Sequence, residues 1–331
     1  MLDKKNIFSK KKILVYGLGI SGLSAYKFLR KDNKVHLYDD KRNNNHNIEI
    51  KKKIISYKKI IKKSFDHIII SPGIDISKCK LKYFLKKNLK KINTDLDIFF
   101  NYYNKNRNIT ITGTNGKSTT AKILYDILKD QKLDVRLVGN IGNPILSEKK
   151  ITHKTIFVIE ASSYQLEYSQ MFKANIAVIL NISPDHLERH KSLQNYVKAK
   201  FKLIKNQTNK DYAILNTNNF YIKKQIRNQK FSPKIIKVNK QIDITILKKI
   251  NNPFFATTGN KENLSFVLKI LEILKIKKKK IIRVLNTFSG LKYRQQIIFK
   301  SKSLTIINDS KSTSFSSSSS LLKSMSNVYW I

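Results

Sequence analysis

The chain has 331 residues, enough for two or three domains with a sizeable core, and its 41% apolar content is ordinary for a globular protein. Its 66 Lys and Arg against 22 Asp and Glu leave a formal charge of +44. The lysines run through the whole length among Asn and Ile instead of gathering in one tail or on one helix face, so nucleic-acid binding is set aside as the primary function, and the positive field favours anionic small molecules only as a secondary effect.

The single cysteine, Cys79, excludes an intramolecular disulfide framework and fits a reducing cytosol. Lys10–Lys12 followed by the uncharged run Ile13–Tyr26 mimics a signal peptide. The run carries Gly17, Gly19 and Gly22 in dinucleotide-loop spacing and is too short and broken to span a membrane, so a cytoplasmic protein is expected.

Lys12–Tyr16 reads as a strand running into Gly17-Leu-Gly19-Ile-Ser21-Gly22, with a helix to about Leu29 and a second strand, Val35–Tyr38, ending at Asp39. This is the opening βαβ unit of a Rossmann-like domain with an acid about twenty residues after the first glycine. Such a turn holds NAD in a dehydrogenase, and it equally suits the diphosphate of a UDP-sugar. Phe65–Ile70 is a further strand, with the tight loop Ser71-Pro72-Gly73-Ile74 at its carboxyl end, where ligands of open α/β sheets sit. Asn101 to Asn108 turns polar and reads as a linker, which ends the first domain near residue 106.

Ile109–Thr112 is a β-branched strand that breaks at Gly113-Thr-Asn-Gly116-Lys-Ser-Thr119, and Ser118–Leu128 then carries helix-period apolar residues. Strand, glycine turn and helix form a phosphate cradle: backbone N–H groups approach the phosphate oxygens, Lys117 reaches the β/γ-phosphates, and the Ser118 hydroxyl can ligate Mg²⁺. Ile111 occupies the position of the first glycine of the full P-loop pattern, so the loop is a shortened variant. The buried strand Thr155–Ile159 delivers Glu160, and Ile176–Leu180 delivers Asn181 and then Asp185-His186. A carboxylate and an imidazole at strand ends flanking such a loop suit a Mg²⁺-phosphate site. His153 and His190 read as surface residues, and Lys198 and Lys200, on the amphipathic helix Ser192–Ile204, as face lysines or more.

Beyond these, Ala213–Asn216 and Lys234–Val238 read as strands, Gly259 to Leu274 and Ile281 to Phe288 as helices, and Ser303–Asn308 as a strand entering Asp309-Ser-Lys311-Ser-Thr313. Phe315–Ser320 is low in complexity, though a helix can run through it, and Asn327–Ile331 reads as a new strand.

With these motifs in order, the chain resembles the Mur ligases along essentially its whole length. The agreement rests on Gly-Leu-Gly-x-Ser-Gly at Gly17, Ser-Pro-Gly-Ile at Ser71, Gly-Thr-Asn-Gly-Lys-Ser-Thr at Gly113, Gly-Asn-Ile-Gly at Gly139, Glu-x-Ser-Ser-Tyr-Gln-Leu-Glu at Glu160, Asp-His-Leu-Glu-Arg-His at Asp185 and Asn-Asp-Ser-Lys-x-Thr at Asn308. The last favours the D-glutamate-adding branch.

The resemblance implies an α/β fold with a Rossmann-like UDP-binding domain (1–106), a central parallel-sheet ATP-binding domain (107–295) and the start of a third Rossmann-like domain (296–331). It implies ATP and Mg²⁺ as cofactors and small-molecule substrates, UDP-N-acetylmuramoyl-L-alanine and D-glutamate, with no nucleic-acid or membrane partner and a monomeric enzyme. By the same resemblance Gly17, Gly19, Ser21, Gly22, Asp39, Lys41, Ser71, Pro72 and Gly73 hold the UDP end, while Asn140, Ser162, Ser163, Gln165 and Thr313 lie toward the rest of the substrate. Gly113, Thr114, Asn115, Gly116, Lys117, Ser118 and Thr119 bind ATP phosphates, and Asn260, Asn263, Arg294, Asp309 and Lys311 flank the nucleotide. Ser118, Glu160, His186 and a carbamylated Lys200 serve the metal, with Lys117, Glu160, His186 and Lys200 carrying catalysis.

Gly259 and Tyr293 stand where the family commonly has histidine. Only about thirty-five residues of the third domain follow, so a fragment or a catalytically incomplete nucleotide-binding remnant stands as the alternative, and a C-terminus that cannot bury its apolar faces is expected. A folylpolyglutamate synthase-like ligase and an NAD-dependent dehydrogenase are the other rivals; the second leaves the phosphate loop, Glu160 and His186 unexplained.

Overall fold

The computed structural model describes residues 6–41, 47–239, 244–277, 280–312, 315–323 and 325–331. Two parallel sheets organise it. The first contains β1 (Lys12–Tyr16), β2 (Lys34–Tyr38), β3 (His67–Ile70) and the short β4 (Ile92–Asn93), in the order β2-β1-β3-β4. The second contains β5 (Arg107–Thr112), β6 (Val135–Gly139), β7 (Ile156–Glu160), β8 (Ile176–Ile179), β9 (Tyr212–Asn216) and β10 (Lys234–Val238), in the order β10-β9-β8-β5-β7-β6. Strands covered on both faces by helices need apolar side chains on both faces, and Ile13–Tyr16 and Phe157–Glu160 are buried at every position.

In each sheet one strand is the switch point. β1 has β2 on one side and β3 on the other, and β5 has β7 on one side and β8 on the other. Connections leave such a strand in opposite directions, which opens a crevice at its carboxyl end. Both glycine loops stand there.

The helix Asp95–Tyr103 joins the two sheets. A capping box between Thr94 and Asp97 starts it, and Leu96, Ile98 and Phe99 share one apolar cluster with Val15 and Ile69 of the first sheet and Phe157 and Ile159 of the second. Phe99 meets Phe157 edge-on at 4.8 Å. The Asp97 carboxylate adds polar order: one oxygen accepts the amides of Gln170, Met171 and Phe172 and the Ser169 hydroxyl at 2.8–3.1 Å, so the turn after the helix Ser163–Tyr168 is pinned to the first unit. The expected polar linker is therefore shorter than its composition suggests. Asn101–Tyr103 complete the helix, and Asn106 is buried, donating to the carbonyls of Thr152 and Thr155.

The C-terminal part differs from expectation. Gln296–Lys300 (β11), unmarked in the sequence reading, pairs antiparallel with Thr305–Asn308 (β12), which starts later than Ser303. The hairpin leaves Ile298, Phe299 and Leu304 at least half exposed. A helix does run through the serine tract, Phe315–Leu322. Asn327–Ile331 is not a strand: it joins no sheet, and Tyr329 is 95% exposed.

Candidate functional site

β5 ends at Thr112, and Gly113–Gly116 turns the chain into the helix Lys117–Asp130. Gly116 takes φ +83°, and a Cβ there would fall 2.1 Å from Asn263 Oδ1, so both the left-handed turn and the approach of Asn263 require glycine. Asn181, two residues past the end of β8, braces the loop: its carbonyl accepts the Thr114 amide at 2.9 Å, its Oδ1 accepts the Asn115 amide at 2.8 Å, and its Nδ2 donates to the Asn115 carbonyl at 3.2 Å. With those two amides taken, the donors left for phosphate are those of the first helical turn, 116–119, which have no partner inside the helix.

Lys117 is folded back on the loop, donating to the carbonyls of Gly113 and Thr114 at 3.0 and 2.8 Å. Burial lowers its pKa, against the pull of Glu160. Ser118 and Thr119 are buried beside it.

Glu160 ends β7 with no exposed surface. One carboxylate oxygen accepts from Asn140 Nδ2 at 2.9 Å; the other has no hydrogen-bond partner. A buried carboxylate oxygen left unpaired is costly unless a cation meets it. Lys200 lies in the same field: only 1% exposed, it donates to the Gly113 carbonyl at 2.8 Å and its ammonium sits 4.5 Å from the centre of the Tyr196 ring. Burial first, and then Lys117, push its pKa well below the usual lysine range. The exposed-face alternative is thus excluded for Lys200, whereas Lys198 is exposed. His186 occupies a left-handed conformation at the start of the short helix Leu187–His190, 3.4 Å from the Asp185 carboxylate and packed on Tyr164 at 4.9 Å, with its side chain 42% exposed.

The orphaned Glu160 oxygen and the buried Ser118 hydroxyl fit a hard divalent cation. No cluster of three or more His, Cys, Asp or Glu suited to a metal occurs among the described residues. A divalent cation held by these two groups would leave most of its shell to water and phosphate oxygens.

A cleft of about 220 Å³ opens beside the loop, lined by Asn260, Asn263, Arg294 and Asp309 together with Phe254 and Gln295. Asp309 accepts the Gln295 amide at 3.1 Å and the Ser318 hydroxyl at 2.8 Å, so the hairpin's end is tied to the cleft. Lys311 is exposed, its backbone amide bonded to the Tyr293 carbonyl, and Thr313 lies outside the described residues.

In the first sheet the predicted residues do come together. Gly17 takes φ +93°, and a Cβ on Gly22 would lie 1.8 Å from the Gly17 carbonyl oxygen. Asp39 accepts the amides of Leu18 and Lys41 at 2.6 and 2.9 Å, and the Ser71 hydroxyl donates to the Gly17 carbonyl at 2.7 Å. Ser21 is half-buried in the first helical turn, Gly19 and the side chain of Lys41 are exposed, and Pro72 and Gly73 form the turn after β3.

Other assignments shift. Ser162 and Gln165 form a capping box at the start of the helix Ser163–Tyr168, and Gln165 Nε2 also donates to Asp95 at 3.3 Å, which turns that side chain inward. His190 is not a surface residue: it is 3% exposed, its Nε2 lies 3.0 Å from Ser163 Oγ, and it packs between Tyr164 and Tyr196. The one-turn helix Leu187–His190 folds it under the aromatic residues, a burial that local sequence does not announce. Asn181, Tyr196, Phe254 and Gln295 were not singled out. Asn181 alone carried a signal, its place at a strand's carboxyl end; Tyr196 reaches the loop only through a 3.1 Å contact with the Thr114 hydroxyl, 82 residues away.

Comparison with known proteins follows the same layout. Residues 111–277 match the Mur ligase middle domain, and residues 11–93 the N-terminal domain described as Mur ligase, MurD-like. The chain is 33% identical over 348 residues to a UDP-N-acetylmuramoylalanine–D-glutamate ligase of Rickettsia bellii, an alignment covering 98% of this chain and 77% of that protein. Among solved structures it resembles in fold the UDP-N-acetylmuramate:L-alanyl-γ-D-glutamyl-meso-diaminopimelate ligase from Neisseria meningitides (TM-score 0.58, 14% identity, 86% of this chain and 100% of that one). It also resembles a MurF ligase from Thermotoga maritima in complex with ADP (TM-score 0.52, 13% identity, 97% of this chain and 75% of that one).

Proposed function

This chain belongs to the Mur ligase family, the ATP-dependent ligases of peptidoglycan synthesis, and we propose that it joins D-glutamate to UDP-N-acetylmuramoyl-L-alanine in the cytoplasm. The observation that carries the chemistry is the partnerless, fully buried oxygen of Glu160, within electrostatic reach of both Lys117 and Lys200 at the phosphate loop. D-glutamate as the amine follows the Rickettsia relative, whose alignment takes in nearly the whole chain, and the motif Asn308–Thr313.

A carboxylate is a poor acyl donor because its leaving group is oxide. Transfer of the γ-phosphoryl group of ATP to the alanine carboxylate makes an acyl phosphate, and attack by the amine then gives an amide, phosphate and ADP. The first-turn amides of the helix Lys117–Asp130 orient the phosphates, and Lys117 leaves the Gly113 and Thr114 carbonyls to meet charge building on the transferred group. Mg²⁺, when bound, supplies the remaining charge neutralisation, with Ser118, Glu160 and His186 as the residues to hold it. Lys200 is held in an environment that favours its neutral amine, the form that adds carbon dioxide through a new N–C bond and, on losing a proton to solvent, would give an anionic carbamate able to serve the metal with Ser118, Glu160 and His186. Asn260, Asn263, Arg294 and Asp309 line the nucleotide cleft, and the Gly17–Gly22, Asp39 and Ser71–Gly73 region cradles the UDP diphosphate. On this reading residues 1–106 bind the UDP-substrate, 107–295 bind ATP, and 296–331 belong to the third domain of the family.

The test is phosphate release from ATP with Mg²⁺ and UDP-N-acetylmuramoyl-L-alanine, with and without D-glutamate. Release that requires D-glutamate and not L-glutamate or L-alanine supports the assignment; release indifferent to the amino acid overturns the specificity, and a chain that binds no nucleotide overturns the ligase reading.

A further inference from the structure

We propose that Arg189 is a positioning residue that locks the Ser71–Ile74 loop of the first sheet to the His186 side of the phosphate site, so that nucleotide binding at one is felt at the other. The inference rests on the ligase reading and adds to it the device that couples its two nucleotide sites.

Arg189 lies on the short helix Leu187–His190, its side chain only 8% exposed. Its Nη2 donates to the Ile74 carbonyl at 2.6 Å, and Nε and Nη2 both donate to one oxygen of Glu167 at 3.2 Å. Ile74 belongs to the loop at the carboxyl end of β3, whose Ser71 holds the Gly17 carbonyl; Glu167 belongs to the helix that follows Glu160 and β7. One planar group thus bridges the first sheet's ligand loop and the second sheet's site.

The bridge continues inward. The guanidinium sits 5.1 Å from the centre of the Tyr164 ring, and the same ring packs on His186 at 4.9 Å and stacks on His190 at 5.6 Å. His190 in turn packs on Tyr196 at 5.2 Å, and the Tyr196 hydroxyl meets Thr114 Oγ1 of the phosphate loop at 3.1 Å. The path from the Ile74 carbonyl to Thr114 is continuous, half-buried through Arg189 and Tyr164 and fully buried from His190 onward, and in a close-packed interior a displacement at one end is passed on to the neighbouring side chains. A guanidinium serves here because its fixed fork reaches a carbonyl and a carboxylate at once; an ammonium is a single point charge and cannot hold both in that geometry.

The variant Arg189→Lys keeps the charge for Glu167 and gives up the Ile74 contact. Expected are a Mg²⁺–AMP-PNP affinity within about twofold of the parent and a rise of about tenfold or more in KM for UDP-N-acetylmuramoyl-L-alanine. Amide hydrogen exchange of residues 71–76, slowed in the parent by Mg²⁺–AMP-PNP, is expected not to respond in the variant. Slowing that persists in the variant, or a parent loop indifferent to a nucleotide it demonstrably binds, overturns the proposal; so does a fall in melting temperature with KM and exchange unchanged, the sign of a merely structural bond. A parent that binds no nucleotide defeats the ligase reading instead. The unliganded proteins then decide the lock: faster exchange in both 71–76 and 186–190 of the variant upholds it, and unchanged exchange overturns it.

Discussion

The molecule contains two glycine turns at the carboxyl ends of two switch-point strands, and they are built in opposite ways. At Gly17–Gly22 the loop is held by hydrogen bonds that the fold makes by itself: Asp39 caps two backbone amides and Ser71 caps a carbonyl, and among the described residues no buried lysine donates to it. At Gly113–Thr119 two lysines are desolvated against backbone carbonyls, and a buried carboxylate keeps one oxygen without a partner. The same topology makes a passive cradle in one place and a charged, unbalanced site in the other. Buried charges left partly uncompensated lower stability in the free protein and become favourable only when oppositely charged groups arrive.

The strongest way to break the comparison is steric. Gly22→Ala puts a Cβ 1.8 Å from the Gly17 carbonyl oxygen and is expected to cost more than about 3 kcal/mol and to abolish binding of UDP-N-acetylmuramoyl-L-alanine, while ATP-analogue affinity at the second loop is retained; calorimetric titration with each ligand reads the separation. Equal loss at both sites would show that the clash at Gly22 disrupts more than the first cradle.

Next in size, Lys117→Met removes the mobile charge of the second loop. We expect phosphate release to fall about 10²–10³-fold with the melting temperature unchanged or raised, since a half-buried ammonium on two carbonyls is replaced by an apolar side chain of similar length. A fall of less than about tenfold would make the lysine a loop brace only.

Two buried groups set an opposing pH dependence. Burial raises Asp95 to about 6, so the folded state binds more protons than the unfolded one above the usual carboxylate range, and this group removes stability as pH climbs toward 6. His190 is pushed down to about 4 by burial and by Arg189, so the unfolded state binds more protons between about 4 and the ordinary histidine value, and this group adds stability as pH climbs. Each amounts to about 3 kcal/mol over its window, and in the parent they largely cancel. Relative to the parent, Asp95→Asn is expected to gain stability from pH 4 to 6.5 and His190→Gln to lose it over the same range. Denaturant melts at half-unit pH steps would show the two differences diverging; parallel curves would refute the assignment.

The smallest effect belongs to Ser71→Ala. It removes one hydrogen bond to the Gly17 carbonyl and should cost about 1 kcal/mol of stability with a matching modest loss of UDP-substrate affinity and no change in ATP affinity.

Much of the first cradle was legible because its parts are local: a β-branched strand, a glycine with positive φ and another where a Cβ would clash, an acid at the end of the next strand. Less of the second was. Glu160 and Lys117 announce themselves by standing next to strand ends and glycines, but nothing near Lys200 in the chain tells that its ammonium is buried on the Gly113 carbonyl, and nothing near His190 tells that it is inside. Asn181 was visible as a strand-end residue, yet its bracing of Thr114 and Asn115 depends on β8 lying beside β5.

By itself the sequence determined the two strand–turn–helix loops, the succession of parallel strands and the family to which the chain belongs, because those depend on period, β-branching and glycine over a few residues. Only the tertiary structure decided which charges are buried and what they meet. Desolvation and pairing are set by side chains tens of residues apart, as when Arg189 crosses to Ile74 and Tyr196 to Thr114, and no local pattern encodes the distance between them.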